Sequence, residues 1–277
     1  MTIVEVLKLS ADYLQKHGSD SSRLDAELLL AHALDLRRLD LYLKFDRTLS
    51  ETELSAYRHL VGERGKGEPV AYLVGHKEFM GLDFEVTRDV LVPNPDTEVL
   101  VQRAVEIARE AEGPLRIADV GTGSGCIAVA IAHYATNADV WASDVSAEAI
   151  AVAGRNVARH GVGERVHLVA GDLMEPLAGQ FDLVCANLPY VAADARLPAE
   201  VAAQPARALY ADDGGAALVT RLLDEAPARL AAGGRILAEI DPLIAGVVVD
   251  KARHVLSGGQ RLHRDAGGRE RVLEAWS

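Results

Sequence analysis

The chain has 277 residues, 49% of them apolar and 25% charged, enough to bury one large core or a large core and a small one. Its net charge of −12 and pI of about 5.2 disfavour bulk binding to nucleic-acid backbones. No apolar run reaches the length of a membrane span, and the opening "MTIVEVLKLSADYLQKHG" is too interrupted by charge for a secretory signal, so neither is expected and a cytoplasmic location is.

From residue 1 to about 66 the apolar spacing is helical. "IVEVLKLSADYLQKHG" stops at Gly18, and "SSRLDAELLLAHALDL" opens on a serine cap candidate with an apolar stripe through Leu24, Leu28, Leu29 and Ala33. "SETELSAYRHLVGERGKG" carries Ser50 and Glu53 at capping-box spacing, and its Arg58, Arg64 and Lys66 read as a solvated helix face. From about 70 to 92, "PVAYLVGHKEFMGLDFEVTRDVLV" alternates around Gly81, which predicts a β-hairpin. "PNPDTE" is a rigid turn in which Asp96 or Thr97 can cap a helix to about 111.

Strand and helix then alternate. "LRIADV", "ADVWASDV", "RVHLVAGD", "FDLVCANLPY" and "RILAEI" read as strands, separated by helical segments such as "CIAVAIAHYA" and "SAEAIAVAGRNVARHG". "GAALVTRLLDEAPARLAAGG" reads as the helix before the fifth strand. A helix near 242–256 and the strand candidates "QRLHRD" and "RVLEAW" close the sequence. This order predicts an α/β fold, a doubly wound Rossmann-like sheet. The expected domains are a helical domain over 1–70, a hairpin and linker over 71–95, and the sheet domain over 96–277. Cys126 and Cys185 sit in apolar surroundings and read as buried free thiols; no histidine has metal-ligand spacing, so no metal is expected.

The chemistry gathers at strand ends. After Asp119, Gly121, Gly123 and Gly125 alternate before a helix, so the backbone can turn sharply and approach a ligand. The spacing is GxGxG and not the dinucleotide GxGxxG. Asp144 ends the next strand, where an acid can take both hydroxyls of a ribose or cap the following helix, a task Ser146 can also perform. Asp172 ends the third strand and either accepts from an adenine amino group or caps a loop. Three acids at successive strand ends suit a nucleoside-bearing cation, and S-adenosylmethionine is such a ligand. Asn187 ends the fourth strand. Its amide oxygen can accept from an NH₂ group. The Leu188 carbonyl can accept a second bond because Pro189 keeps Leu188 extended, and Tyr190 offers a flat face. The bland reading of "NLPY" is a strand-ending turn. The adjacent glycines and acids favour a site that holds a planar nitrogen.

This constellation resembles the class I S-adenosylmethionine methyltransferases with an (Asn/Asp)-Pro-Pro-(Tyr/Phe) motif, and within them the HemK/PrmC family. The likeness spans nearly the whole chain, through "EPVAYLVGHKEFMGLDFEV", "VLVPNPDTEVLV", "IADVGTGSGCIAVAIA", "FDLVCANLPYV" and "GGRILAEI". It implies a protein-glutamine N-methyltransferase whose substrates are class 1 peptide release factors, modified at the glutamine of their Gly-Gly-Gln motif. It implies that Gly121, Thr122, Gly123, Ser124, Gly125, Asp144, Asp172, Leu173 and Asn187 line the S-adenosylmethionine site, and that Asn187, Leu188, Pro189 and Tyr190 hold the glutamine amide. The sequence departs from the family pattern at Leu188, where Pro is usual, at Asn94 in place of Arg, and near Gln204 and Asp241. "NLPY" is also similar to the motif of ribosomal RNA adenine dimethyltransferases, although the acidic charge counts against RNA. Two rival readings are a relative re-tasked to a planar nitrogen of a small metabolite and a non-catalytic S-adenosylmethionine-binding adaptor.

Overall fold

Five helices open the chain: α1 (Ile3–Lys16), α2 (Ser22–Ala33), α3 (Arg38–Leu43), α4 (Glu51–Gly65) and α5 (Val70–Val74). A computed structural model describes all residues 1–277, and it places these helices with the later segment Leu197–Gln204 in one unit, and Lys77–Arg196 with Pro205–Ser277 in another. Ser50 and Glu53 form the expected reciprocal cap of α4, and Thr2 and Glu5 form a second one ahead of α1. Ile3, Leu14, Leu29, Leu30, Leu41 and Tyr57 fill the core of this unit.

The inward face of α2 differs from the expected stripe. Leu24 is exposed, whereas Asp25, Ala26 and Glu27 are buried. Ion pairing explains the rotation. Asp25 accepts from Arg64 Nε at 2.7 Å and from Ser19 at 2.7 Å, and Glu27 accepts from Arg23 at 2.7 Å. Arg64 therefore leaves the solvated face assigned to it. Its side chain is 8% exposed, between Asp25 and Glu200. Its charge is met on both sides, which makes the burial tolerable.

The second unit takes up the chain within a hairpin, β1 (His76–Phe79) and β2 (Leu82–Glu85). Met80 and Gly81 both hold left-handed φ, the signature of a tight two-residue turn. The stretch before it, read from alternation as part of the hairpin, is instead α5, ended by Gly75 at φ 82°. Asn94 caps the "PNPDTE" turn, and Thr97 stands at the N-cap of the helix after it, without a side-chain capping bond. The Asn94 Oδ1 accepts from Asp96 N at 3.0 Å ahead of a 3₁₀ turn (Pro95–Thr97) that runs into α6 (Glu98–Glu110).

The sheet follows with β3 (Leu115–Val120), α7 (Cys126–Tyr134), β4 (Ala138–Asp144), α8 (Ala147–Arg159), β5 (Val166–Ala170) and β6 (Phe181–Ala186). A two-residue parallel pair, β7 (Val191–Ala192) and β8 (Tyr210–Ala211), flanks an excursion containing α9 (Ala199–Ala202). The chain ends with α10 (Ala217–Glu225), β9 (Leu230–Glu239), α11 (Ala245–Val255), β10 (Gly259–Arg264) and β11 (Glu270–Trp276). The seven strands lie in the order β10-β11-β9-β6-β3-β4-β5. The five from β9 to β5 are parallel, and β11 is antiparallel to both its neighbours. One apolar core packs α6 and α7 on one face, and a second packs α10 and α11 on the other.

The fifth strand begins earlier than expected, at Leu230. The glycines that read as the end of a helix lie inside it: a Cβ at Gly234 would stand 3.0 Å from Phe181 O. Glycine there marks close backbone approach inside a strand. The chain runs β3-β4-β5 in one direction, then places β6 on the other side of β3. That reversal opens a crevice beyond the carboxyl ends of β3 and β6, where open α/β sheets bind ligands.

Candidate active site

The glycine loop leaves β3 at this crevice. Gly121 and Thr122 both donate their backbone N–H to Ser143 O at 2.9 Å, which wraps the loop over the end of β4. Gly121 holds φ at +75°, and a Cβ there would press on Leu188 Cδ2 at 2.9 Å, so the two loops approach each other through the missing side chain. Asp119 works from beneath. Its Oδ2 accepts from Thr122 Oγ1 at 2.6 Å and from Ala128 N at 3.1 Å, tying the loop to α7. Burial pushes its carboxyl up to about 7. Asp119 thus stiffens the floor, and two of the three strand-end acids, Asp144 and Asp172, line the cleft.

Asp144 accepts from Gly123 N and from Ser146 N, each at 2.9 Å. Ser146 caps α8 through Ala149 N at 3.2 Å, so Asp144 is not needed for that task. Asp172 lines the cleft with its Oδ2 paired to Arg221 at 2.7 Å, a partner the sequence reading did not supply. Leu173 also lines the cleft and holds φ at 42°, while its carbonyl accepts from Ser143 Oγ at 2.8 Å.

Asn187 follows the last residue of β6. Its Nδ2 donates to Thr97 Oγ1 at 3.0 Å, which leaves Oδ1 as the group it can offer to the cleft. Leu188 is buried with its side chain against Gly121, and Pro189 lines the cleft beside it. The cleft holds about 990 Å³ of empty space when its open mouth is included. It brings together Gly121, Thr122, Gly123, Ser124, Asp144, Asp172, Leu173, Asn187, Leu188 and Pro189.

Two expected residues lie outside that lining. Gly125 sits against α8, where a Cβ would meet Ala153 Cα at 3.2 Å, so it serves helix packing. The Tyr190 hydroxyl turns away to donate to Glu239 Oε1 at 3.1 Å, and burial, then the charge of Glu239, raises its pKa. Several residues of the wall went unremarked as site residues in the sequence: Val92, Pro93 and Thr97 from the "VLVPNPDTEVLV" segment, Val145, Arg207 and Leu218. Thr97 had a signal, since its segment is the most distinctive in the chain. Arg207 had none, because it comes from the irregular stretch between β7 and β8, and Leu218 had none, because it reads as one more apolar residue of the helix α10. The polar inventory is a backbone cradle, two carboxylates suited to a cation bearing hydroxyls, and an oriented amide oxygen at the end of β6.

Comparison with known proteins agrees with this layout. The family model described as "PrmC N-terminal domain" matches residues 5–75, and that of the "Methyltransferase small domain" matches residues 95–221. A release factor glutamine methyltransferase of Rhodopirellula baltica is 40% identical over 98% of this chain and 95% of its own length. Another, from Moorella thermoacetica, is 38% identical over 100% of this chain and 99% of its own. Among solved structures, the hMettl16 catalytic domain in complex with MAT2A 3′UTR hairpin 6 superposes with a TM-score of 0.61 at 16% identity, covering 76% of this chain and 83% of that one, a likeness of fold.

Proposed function

This chain belongs to the release factor glutamine methyltransferase family, and we propose accordingly that it moves a methyl group from S-adenosylmethionine to the side-chain amide nitrogen of the glutamine in the Gly-Gly-Gln motif of a class 1 peptide release factor. The observation that carries the reading is Asn187: an amide held by Thr97 at the end of β6, in the same cleft wall as the glycine loop of β3.

The residues present fit the cofactor. A Cβ at Gly123 would enter open space, so the loop presents bare backbone to the cleft. Asp144 keeps lone pairs beyond those used by Gly123 and Ser146 and would take the ribose hydroxyls. Asp172 would take the adenine amino group beside Arg221. When bound, S-adenosylmethionine supplies an electrophilic methyl group on a sulfonium.

The protein's own part is orientation. An amide nitrogen is a weak nucleophile because its lone pair is delocalised into the carbonyl. Asn187 Oδ1 and the Leu188 carbonyl accept its two N–H bonds and aim the nitrogen. These bonds strengthen as the N–H groups become more acidic in the transition state, so they favour turnover over binding. Water takes the released proton. Tyr190 is braced by its hydroxyl on Glu239, and its ring is the flat face proposed to lie against the amide. The helical unit supplies contacts remote from the reacting amide, which a common side chain such as glutamine requires for selection.

The test is transfer of labelled methyl to purified class 1 release factors, with the modified residue located by mass spectrometry. Label on the Gly-Gly-Gln glutamine supports the proposal. Release factors left unlabelled, with label passing to a free small molecule, would replace it with the metabolite reading.

A further inference from the structure

Asn187 depends on a turn outside its own strand. Its Nδ2 donates to Thr97 Oγ1 at 3.0 Å, and that bond leaves its oxygen for the cleft. Thr97 closes the 3₁₀ turn: its N–H donates to Asn94 O at 3.0 Å, and Asn94 Oδ1 accepts from Asp96 N. The same turn is gripped from outside by the last hairpin of the sheet. Arg271 of β11 pairs through Nη2 with Asp96 Oδ2 at 3.0 Å, and Arg269 Nη2 reaches the same oxygen at 3.4 Å. Both arginines also pair with Asp265 Oδ2, Arg269 through Nε at 3.0 Å and Arg271 through Nη2 at 3.3 Å. The four side chains thus close a ring of alternating charge. Arg271 is buried in it with its side chain 5% exposed. Its own backbone is tied to the sheet, where its carbonyl accepts from Ile240 N at 2.8 Å.

A side-chain amide has two ends of similar shape and opposite hydrogen-bonding sense. For the proposed reaction the oxygen must face the cleft, because only the oxygen can accept a substrate N–H. The atom that selects the end is Thr97 Oγ1, and a hydrogen bond weakens steeply once donor and acceptor leave their normal distance and angle. The place of Thr97 therefore matters. α6 anchors the turn at its end, and the two arginines anchor it at Asp96, its middle residue. A planar guanidinium whose Nη2 is shared between two carboxylates has little freedom left, so it sets where Asp96 lies and with it the next residue. We propose that Arg271 is a positioning residue for the methyl transfer: by holding Asp96 it keeps Thr97 where the Asn187 amide turns its oxygen to the cleft. The inference rests on the function proposed above. It gives the C-terminal hairpin a part in the reaction, although no residue of β10 or β11 lines the cleft.

Asp96→Ala removes the carboxylate that Arg271 grips, and Arg271→Met removes the grip. In the full-length protein each is expected to lower kcat about 10- to 100-fold, up to the scale of a misplaced reacting group, with KM for the release factor and affinity for S-adenosylmethionine within about two-fold of wild type. The double variant should lose no more than the slower single one, because both act through one contact. A merely structural role is separated in two ways. Glu274→Gln, in the same strand as Arg271 but with its bonds to Arg103, Arg235 and His263, should lower the melting temperature and leave kcat unchanged. The second readout needs no substrate: the Asn187 side-chain NH₂ signal in protein labelled with ¹⁵N-asparagine. It should shift and exchange faster with water in Asp96→Ala and Arg271→Met alike, and keep its wild-type position in Glu274→Gln. If Arg271→Met does not fold, Asp96→Ala decides. Losses that add in the double variant, single variants with wild-type kcat, an Asn187 signal unmoved by either, or a Glu274→Gln enzyme as slow as they are would overturn the inference. A wild-type protein that fails to methylate release factors removes the proposed function instead, and the Asn187 signal still decides this one.

Discussion

Gly215 lies against the backbone of Tyr190: a Cβ at position 215 would overlap the Tyr190 carbonyl oxygen, and Gly215 holds φ at +100°. The last residue of "NLPY" is thus seated on a position that only glycine fills. Gly215→Ala is expected to destabilise the protein by about 2–4 kcal/mol through steric overlap and backbone strain together. Turnover should fall with it, because the displaced segment follows directly from Asn187. Denaturant unfolding measures the first effect, and a wild-type midpoint would show that the seat is not tight.

Asn187→Ala is expected to lower methyl transfer by at least about 100-fold while cofactor affinity stays within a few-fold of wild type, because the lost bond is made chiefly in the transition state. Single-turnover kinetics beside a binding isotherm separate the two. Retention of a large share of wild-type turnover would remove the amide-holding role.

Asp144→Ala should weaken S-adenosylmethionine by about 1–3 kcal/mol. Two losses contribute: the carboxylate offered to the ligand, and the anchor that Gly123 and Ser146 donate to. Calorimetry with unchanged affinity would take Asp144 out of the site.

Acid stability depends on Glu274. Its side chain is 1% exposed, and it accepts from Arg103 at 3.0 and 3.1 Å, from Arg235 at 2.5 Å and pairs with His263 at 2.7 Å. Burial alone would push its carboxyl up, but these partners bring it down to about 2 from an ordinary 4.5. A carboxyl depressed on folding stabilises the native state above its unfolded value and loses that contribution as pH falls through the folded one. The window is therefore from about 4.5 down to about 2, and its scale is roughly 2–3 kcal/mol. Unfolding free energies measured across this range should show the slope in the wild type and a flatter course in Glu274→Gln.

Deleting residues 1–70 should leave S-adenosylmethionine binding, since the sheet has cores of its own on both faces, and abolish transfer to an intact release factor. Calorimetry and labelled transfer test the two halves. Undiminished transfer would deny the helical unit its docking role.

The sheet was legible because each parallel strand is a short apolar run flanked by turn residues, as "LRIADV" is over Leu115–Val120. Segments that broke this logic were misread for physical reasons. Gly233 and Gly234 resemble a helix stop, yet both lie within β9: Gly233 holds φ at +74°, and at Gly234 neighbouring backbone comes too close for a side chain. Val70–Val74 alternates like a strand but is a single helical turn between Pro69 and Gly75. At the site, the glycines and acids announced themselves by position along the chain. Thr97 and Glu239 did not, because each meets its partner across elements far apart in sequence, Asn187 for Thr97 and Tyr190 for Glu239, and no local pattern records such a meeting. Tyr190 was placed by its motif, but Glu239, the partner of its hydroxyl, was not.

The helical unit is discontinuous: it includes Leu197–Gln204, a stretch that leaves the sheet unit after Arg196 and rejoins it at Pro205. Glu200 of that stretch pairs with Arg64, and a Cβ at Gly67 would collide with Ala199. On the ribosome the five helices emerge first, but this piece follows only after β3 to β6 have been synthesised. Domains tend to fold in the order they are made. Here the earliest domain waits for a late instalment, with Arg64 lacking its Glu200 partner in the interval. Its completion therefore reports that the glycine loop and "NLPY" have already left the exit tunnel.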